Sequence, residues 1–211
     1  MKQKMNLPNT LSLLRVILVP VFMAVTLALR NVYLWNGLFS LGMILGAAFF
    51  GAAAYTDFLD GRIARREGII TDFGKFIDPL ADKFMIFGAC ILFLVIDSVT
   101  APIFVWVSAI VMLRELAVTS LRLVVANVSG LVIAASFLGK CKTVSQIVAI
   151  LILFLETQLG DLFLLIGLPA VADFLALRIL SYLGIAVMAF TTIFSGIDYM
   201  RAYMPYINTN K

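Results

Sequence analysis

The chain has 211 residues, of which 63% are hydrophobic and only 13% are charged, and its mean hydropathy is +1.07. This composition excludes an ordinary soluble domain. It predicts an integral membrane protein with a single domain over residues 1–211, surrounded by membrane lipids and without a nucleic-acid partner. The formal net charge is +4 and the sequence contains no histidine, which excludes a nitrogen-rich transition-metal site.

The N-terminal segment is basic and then apolar, as in a secretory signal peptide, but its apolar run is too long for the hydrophobic region of such a peptide. We therefore interpret residues 1–10 as an interfacial lead-in and residues 11–29 as the first membrane span. Arg15 lies inside this span, close to its start. Two interpretations of Arg15 are equally open: its side chain extends to the lipid headgroups, or it is paired inside the helix bundle.

The remaining apolar segments predict five further spans, so the expected fold is an all-α integral membrane protein with six transmembrane helices. The second span is rich in glycine and alanine, which permits close approach between helices. The five spans cover residues 35–55, 79–96, 102 onward, 144–155 and 177–199. We expect residues 156–176 to form an external connection whose path the sequence does not define, and residues 200–211 to form a polar tail.

The distribution of basic residues predicts the orientation, because lysine and arginine collect on the cytoplasmic side of a membrane. With both termini in the cytoplasm, fourteen of the sixteen basic residues fall on that side, and only Arg30 and Arg178 fall outside. We therefore expect a multi-pass protein of the cytoplasmic membrane, with the polar segment 57–83 at the cytoplasmic face.

Residues 57–83 carry six of the twelve acidic residues of the chain. Two sets of residues in this segment recur at helical spacing and predict one stripe on each of two helices. The sets are Asp57, Asp60, Gly61, Ala64 and Arg65 on the first helix, and Gly74, Asp78, Ala81 and Asp82 on the second. If the two helices pack antiparallel across the short turn between them, four carboxylates converge on one point.

These four carboxylates have a plain explanation and a functional one. In a soluble protein we would favour a solvated, charged loop without chemistry. Here both helices continue into apolar spans, so the carboxylates lie at a membrane face, where unpaired charge is costly and usually functional. A pair of divalent cations would neutralise them, and ligands that are all oxygen favour Mg²⁺ or Mn²⁺.

The spacing D-x-x-D-G-x-x-A-R, eight residues, then G-x-x-x-D-x-x-x-D resembles the signature of the CDP-alcohol phosphotransferase family. The resemblance implies that Asp57, Asp60 and Asp78 bind two divalent ions, and that Asp82 lies at the metals and acts as general base. It also implies a binding site for CDP-diacylglycerol. The residues of that site would be Asp60, Gly61, Ala64, Arg65 and Gly74, with the glycines leaving room for the cytidine and Arg65 meeting the phosphates.

Three segments outside the signature resemble the bacterial phosphatidylglycerophosphate synthase branch of this family: NLPNTLSLLRVILVPVF, RELAVTSLRL and VIAASFLGKCKT. The resemblance implies phosphatidyl transfer from CDP-diacylglycerol to sn-glycerol 3-phosphate, giving phosphatidylglycerol phosphate and CMP, by an enzyme that is commonly a homodimer. Arg114, Lys140 and Lys142 are the candidates for binding the acceptor's phosphate. We interpret Arg122, in contrast, as a membrane anchor.

Other functions remain open from the sequence. The same chemistry could use another acceptor, namely phosphatidylglycerol (cardiolipin synthesis), serine or inositol. The three basic candidates argue against the uncharged acceptors and only weakly against phosphatidylglycerol. A cation transporter could also hold aspartates near a membrane, but it would usually show repeated halves with interrupted helices, which this sequence lacks.

Overall fold

The computed structural model describes residues 7–35, 37–67, 72–129 and 137–206, although not the side chains of residues 7–9, 60–67, 72–76, 78, 127–129 and 205. Seven α-helices, one short hairpin and a terminal 3₁₀ turn make up this part of the chain. The helices are α1 (Leu7–Leu29), α2 (Leu41–Glu67), α3 (Asp72–Ile96), α4 (Ala101–Ser129), α5 (Phe137–Leu165), α6 (Pro169–Ala176) and α7 (Ile179–Tyr203), and the 3₁₀ turn is Met204–Tyr206.

Six stretches of the described chain are helical, long and apolar enough to cross a membrane, which confirms the predicted six-span, helical fold. They are Thr10–Leu29, Leu41–Leu59, Pro79–Ile96, Ala101–Ala126, Phe137–Leu165 and Pro169–Tyr203.

Several predicted boundaries are wrong. The expected external connection over residues 156–176 is mostly helical, because α5 extends to Leu165 and α6 covers Pro169–Ala176, so the sixth apolar stretch begins at Pro169 rather than at residue 177. The second span does not begin at residue 35, because β1 (Tyr33–Leu34) and β2 (Phe39–Ser40) form a small antiparallel hairpin before α2. The fifth span does not end at residue 155, because α5 continues to Leu165 before a turn leads into α6. Glu156 and Gln158 resemble the start of a polar loop in the sequence, yet both are buried by partners from other elements.

Helix α1 is the centre of the N-terminal half of the bundle. Its buried side chains recur three or four residues apart, as expected for the inward face of a helix: Ser12, Arg15, Val19, Phe22 and Thr26. This face packs on both α2 and α3, whereas α2 and α3 contact each other only slightly. Along the described residues, α1 therefore joins the two motif helices.

Two glycines allow α2 and α3 to close on α1. A Cβ atom added to Gly42 of α2 would lie 2.5 Å from the backbone nitrogen of Arg30 and 2.7 Å from the carbonyl oxygen of Thr26. A Cβ atom added to Gly88 of α3 would lie 2.6 Å from Cγ1 of Val19. Only a residue without a side chain fits such contacts, so the small residues in these helices bring α1 close to both.

An aromatic cluster then joins α1, α2, α3 and α5 in the core. The rings of Phe22 and Phe50 meet edge to face with centroids 6.0 Å apart, and those of Phe93 and Phe154 do so at 4.5 Å. Edge-to-face pairs of this kind add to the stabilisation from burial alone. The core therefore fixes the height of α1 relative to the two helices that carry the motif.

We call the end of the bundle that carries Asp57 and Asp82 the motif end. The opposite end contains a buried ion network between Asp97, Glu156 and Arg178. Asp97 ends α3, about 22 Å along the helix axis from Asp82. Arg178 precedes α7 with a left-handed backbone (φ 58°), contacts the Asp97 carboxylate and lies 3.5 Å from Glu156 through Nε.

The two carboxylates of this network are also bound by neighbouring backbone and hydroxyl groups. Glu156 accepts hydrogen bonds from the backbone N–H groups of Leu180 and Ser181, each at 2.9 Å, and so caps the start of α7. Asp97 accepts from the Thr100 hydroxyl at 2.9 Å and from the Val99 N–H at 3.2 Å. The opposite end thus encloses both carboxylates in contacts with the fold.

Candidate active site

Arg15 lies between the first and last carboxylates of the motif. Its Nη1 atom is 2.7 Å from Oδ1 of Asp57 and 2.5 Å from Oδ1 of Asp82. The Arg15 side chain is 1% exposed, whereas those of Asp57 and Asp82 are 32% and 53% exposed. Of the two interpretations of Arg15, pairing inside the bundle is therefore the one the structure shows.

Asp60 and Asp78 lie on α2 and α3, as predicted, but their side chains fall outside the described residues. The same holds for the predicted donor-binding residues Gly61, Ala64, Arg65 and Gly74. Among the described residues no group of three or more acidic or cysteine side chains could hold a metal ion. What the structure brings together is thus one carboxylate from each motif helix.

The contact with Arg15 tests whether a cation fits this pair of carboxylates. One nitrogen atom interacts with an oxygen from each aspartate, so both oxygens can reach a single positive centre. All the ligand atoms offered here are carboxylate oxygens, the donors that Mg²⁺ and Mn²⁺ prefer. The chemistry of the donors and the position of the guanidinium are both compatible with a hard divalent cation.

A cavity of about 610 Å³ opens beside these carboxylates and is walled by α2, α3, α4, α5 and α7. Five basic and three acidic side chains line it. They are Lys83, Arg114, Arg122, Lys140 and Lys142, and Asp57, Asp82 and Glu115. All three residues predicted to bind the acceptor's phosphate are therefore on the wall of the same cavity as Asp57 and Asp82.

Glu115 forms ion pairs with two of these basic residues. The Lys142 ammonium pairs with Oε1 of Glu115, and Nη1 of Arg114 lies 3.4 Å from the same oxygen. Arg114 also donates through Nη2 to the hydroxyl of Ser195 on α7. Lys142 and Arg114 are buried, whereas Lys140 is exposed. One carboxylate shared by two cations leaves this wall positive, so it suits an anion.

The sequence analysis missed Arg122 and Tyr199. Arg122 donates from Nη2 to the Tyr199 hydroxyl at 2.5 Å, and its guanidinium lies 4.9 Å from the centroid of the Tyr199 ring. The Arg114 guanidinium lies 5.2 Å from the same centroid, and Tyr203 stacks on Tyr199 at 5.9 Å. Arg122 follows Arg114 by eight residues, which puts both on one helical face, so the residue interpreted as a membrane anchor also lines the cavity.

Comparisons with known proteins show the family of the chain. Residues 5–195 match the model of the CDP-alcohol phosphatidyltransferase family. A CDP-diacylglycerol–glycerol-3-phosphate 3-phosphatidyltransferase from Bacillus subtilis (strain 168) is 41% identical over 157 residues, covering 72% of this chain and 77% of the relative. Proteins with that name from Rickettsia felis and Pseudomonas fluorescens are 34% and 29% identical and cover 95% and 98% of this chain, and 97% and 94% of their own lengths.

Proposed function

Because the chain belongs to the CDP-alcohol phosphatidyltransferase family, we propose that it transfers the phosphatidyl group of CDP-diacylglycerol to sn-glycerol 3-phosphate. The products are phosphatidylglycerol phosphate and CMP. Relatives that carry the name of this activity match almost the whole chain. The observation that carries the proposal is a cavity in which motif carboxylates face a wall with an excess of basic side chains.

The motif residues Asp57, Asp60, Asp78 and Asp82 are proposed to hold two ions of Mg²⁺ or Mn²⁺. When bound, these ions would neutralise the pyrophosphate and stabilise the in-line displacement. Arg65, with Gly61, Ala64 and Gly74, is proposed to receive the phosphates and cytidine of the donor. Asp57 and Asp82 already form salt bridges with one cation, Arg15, which supports their proposed role as metal ligands.

Asp82 is the proposed general base. Its side chain is half exposed and lines the cavity, where it can accept a proton from the acceptor's hydroxyl group. The hydroxyl oxygen forms a bond to the phosphorus atom that bears the diacylglycerol. The bond from that phosphorus to the bridging oxygen breaks, and CMP leaves with the electron pair.

The phosphate of glycerol 3-phosphate is proposed to bind Arg114, Lys140 and Lys142. Glu115 holds Lys142 and Arg114 on the wall, which limits the conformational entropy that they lose when the anion binds. Lys140 is exposed and can meet the phosphate directly. Arg122 lines the same wall of the cavity and adds to its positive charge. Because it also donates a hydrogen bond to Tyr199, we include Arg122 among the proposed phosphate-binding residues.

The described chain has six apolar helices, as in a multi-pass membrane protein. We place it in the cytoplasmic membrane with both termini and the cavity on the cytoplasmic side, where a water-soluble acceptor would enter. The fourteen-to-two division of basic residues supports this orientation. A homodimer is the proposed assembly.

An acceptor panel tests the proposal directly. Purified protein with CDP-diacylglycerol and Mg²⁺ should release CMP when sn-glycerol 3-phosphate is added, and far less with phosphatidylglycerol, serine or inositol. Faster CMP release with phosphatidylglycerol would reassign the acceptor. No release with any acceptor would reject the reaction.

A further inference from the structure

Arg15 is a buried cation placed against the carboxylates that are proposed to bind metal. It comes from α1, outside the signature, and it bridges one aspartate from each motif helix. We propose that Arg15 is the counter-charge of the Asp57–Asp82 pair while no divalent ion is bound, and that a divalent ion binds in competition with it. This inference rests on the proposed function, because it takes these aspartates as metal ligands.

The contact geometry is the first argument for competition. A single nitrogen of Arg15 contacts both aspartate oxygens, at 2.7 and 2.5 Å, so the guanidinium occupies the place where one ion would contact both. A Mg²⁺ ion binds oxygen at 2.0–2.1 Å and is strict about its geometry. The ion and the guanidinium therefore cannot hold the same two oxygens in the same way.

The packing of α1 keeps the positive charge close even if these contacts are released. Val19, one turn after Arg15, is fully buried and packs against Gly88 of α3. The guanidinium is anchored from inside the bundle, while the aspartates are open toward the cavity. An incoming divalent ion would either have to displace the guanidinium from the aspartates or bind with that positive charge within a few Å. Either situation weakens the binding of the ion.

Arg15 would in return keep the site assembled without metal. Two carboxylates from different helices repel each other, and an arginine between them removes that repulsion. Loss of the Arg15 charge should therefore have opposite effects on two quantities. The metal-free protein should become less stable, while the affinity for a divalent ion should rise, since the two equilibria are linked.

The test measures Mn²⁺ binding and thermal unfolding, without substrate. The variant Arg15→Met keeps a long, flexible side chain and removes the charge. Compared with the unsubstituted protein, we expect a lower Tm in EDTA, a larger rise in Tm with Mn²⁺, and binding of Mn²⁺ at least about tenfold tighter by electron paramagnetic resonance titration. Equal or weaker Mn²⁺ binding by Arg15→Met would overturn the proposal.

The opposite end offers a matched control. Arg178 is also buried and also lies between two carboxylates, but remote from the motif. Arg178→Met should lower the Tm equally with EDTA and with Mn²⁺, and should leave the affinity for Mn²⁺ unchanged. An increased affinity in both variants would overturn the proposal, because it would trace the effect to general loosening.

A second variant covers the case in which Arg15→Met does not fold. Arg15→Lys keeps the charge, but its ammonium nitrogen lies one bond nearer the backbone than Nη1 of arginine, so its contacts with the two aspartate oxygens are weakened. Its Mn²⁺ affinity should exceed that of the unsubstituted protein by a smaller factor, and an unchanged or lower affinity would overturn the proposal. Failure of the proposed reaction would appear separately, as Mn²⁺ binding without CMP release in the acceptor panel. Absence of Mn²⁺ binding in every variant would reject both.

Discussion

Both ends of the bundle contain a buried arginine between two carboxylates, but the surroundings of these carboxylates differ. At each end a buried arginine lies between carboxylates from two different elements: Arg15 between Asp57 and Asp82, and Arg178 between Asp97 and Glu156. At the opposite end the carboxylates are buried and also accept hydrogen bonds from backbone and hydroxyl groups. At the motif end they are partly exposed and face a cavity.

This comparison separates structural charge from functional charge. A buried arginine does not itself mark a site, because both ends have one. The difference lies in the anions: those at the opposite end are enclosed by the fold, whereas those at the motif end can be reached by a ligand. We expect substitutions at the motif end to change metal binding or chemistry, and substitutions at the opposite end to change stability alone.

The largest expected effect is the loss of activity when a proposed metal ligand at the motif end is removed. Asp57→Asn removes a proposed metal ligand and should lower the rate of CMP release by about 10²- to 10³-fold, comparable to the loss of a key electrostatic contact in an active site. Excess EDTA should abolish turnover, and Mg²⁺ or Mn²⁺ should restore it. Asp97→Asn is the matched control, and its folded fraction should retain its specific activity. Full turnover in EDTA would contradict the two-metal site.

The next effect is on stability at the opposite end. Glu156→Gln removes the charge that pairs with Arg178 and weakens the cap of α7. We expect a loss of about 2–3 kcal/mol in unfolding free energy, as for hydrogen bonds to a buried charge, with little change in the KM of either substrate. Thermal unfolding and steady-state kinetics on the same preparation measure both. A selective change in KM would erase the distinction between the two ends.

A smaller effect at the motif end distinguishes binding of the acceptor from binding of the donor. Lys140→Gln removes an exposed charge from the cavity wall and should raise the KM for glycerol 3-phosphate about 10- to 100-fold. The KM for CDP-diacylglycerol and the metal dependence should stay the same. If Lys140 only anchors the chain at lipid headgroups, both KM values will be unaltered and the yield of folded protein will fall instead.

The smallest effect concerns Tyr199. Tyr199→Phe keeps the ring under Arg114 and Arg122 but removes the hydroxyl that accepts from Arg122. The loss of one hydrogen bond to a charged group should raise the acceptor's KM about tenfold or less. Arg122→Gln should have a larger effect in the same direction. An acceptor KM that is unaltered in both variants would return Arg122 to the role of a membrane anchor.

Local patterns in the sequence predicted much of this molecule. The spacing of apolar residues gave six spans, and the spacing of Asp57 and Asp82 on two helices marked the site. These features depend on the periodicity of a helix and on the length of an apolar segment that crosses a membrane. Both can be read directly from a sequence.

The missed features depend on which helices meet. The position of α1 between α2 and α3 follows from a buried stripe on one helix and glycines on the other two, and no local pattern relates them. For the same reason residues 156–176 were expected to form a connection outside the bundle, although contacts with Ser181 and Ser40 bury Glu156 and Gln158 inside it.

The position of Arg15 also affects how the protein is made. Arg15 precedes Asp57 by 42 residues and Asp82 by 67 residues in the chain, so α1 is synthesised before either of its acidic partners. An arginine within a helix that enters the bilayer alone costs up to about 2.5–3.5 kcal/mol during insertion, depending on its depth. This cost disappears only when α2 and α3 arrive. The first three helices should therefore leave the insertion machinery as one unit, with the site already assembled at its end.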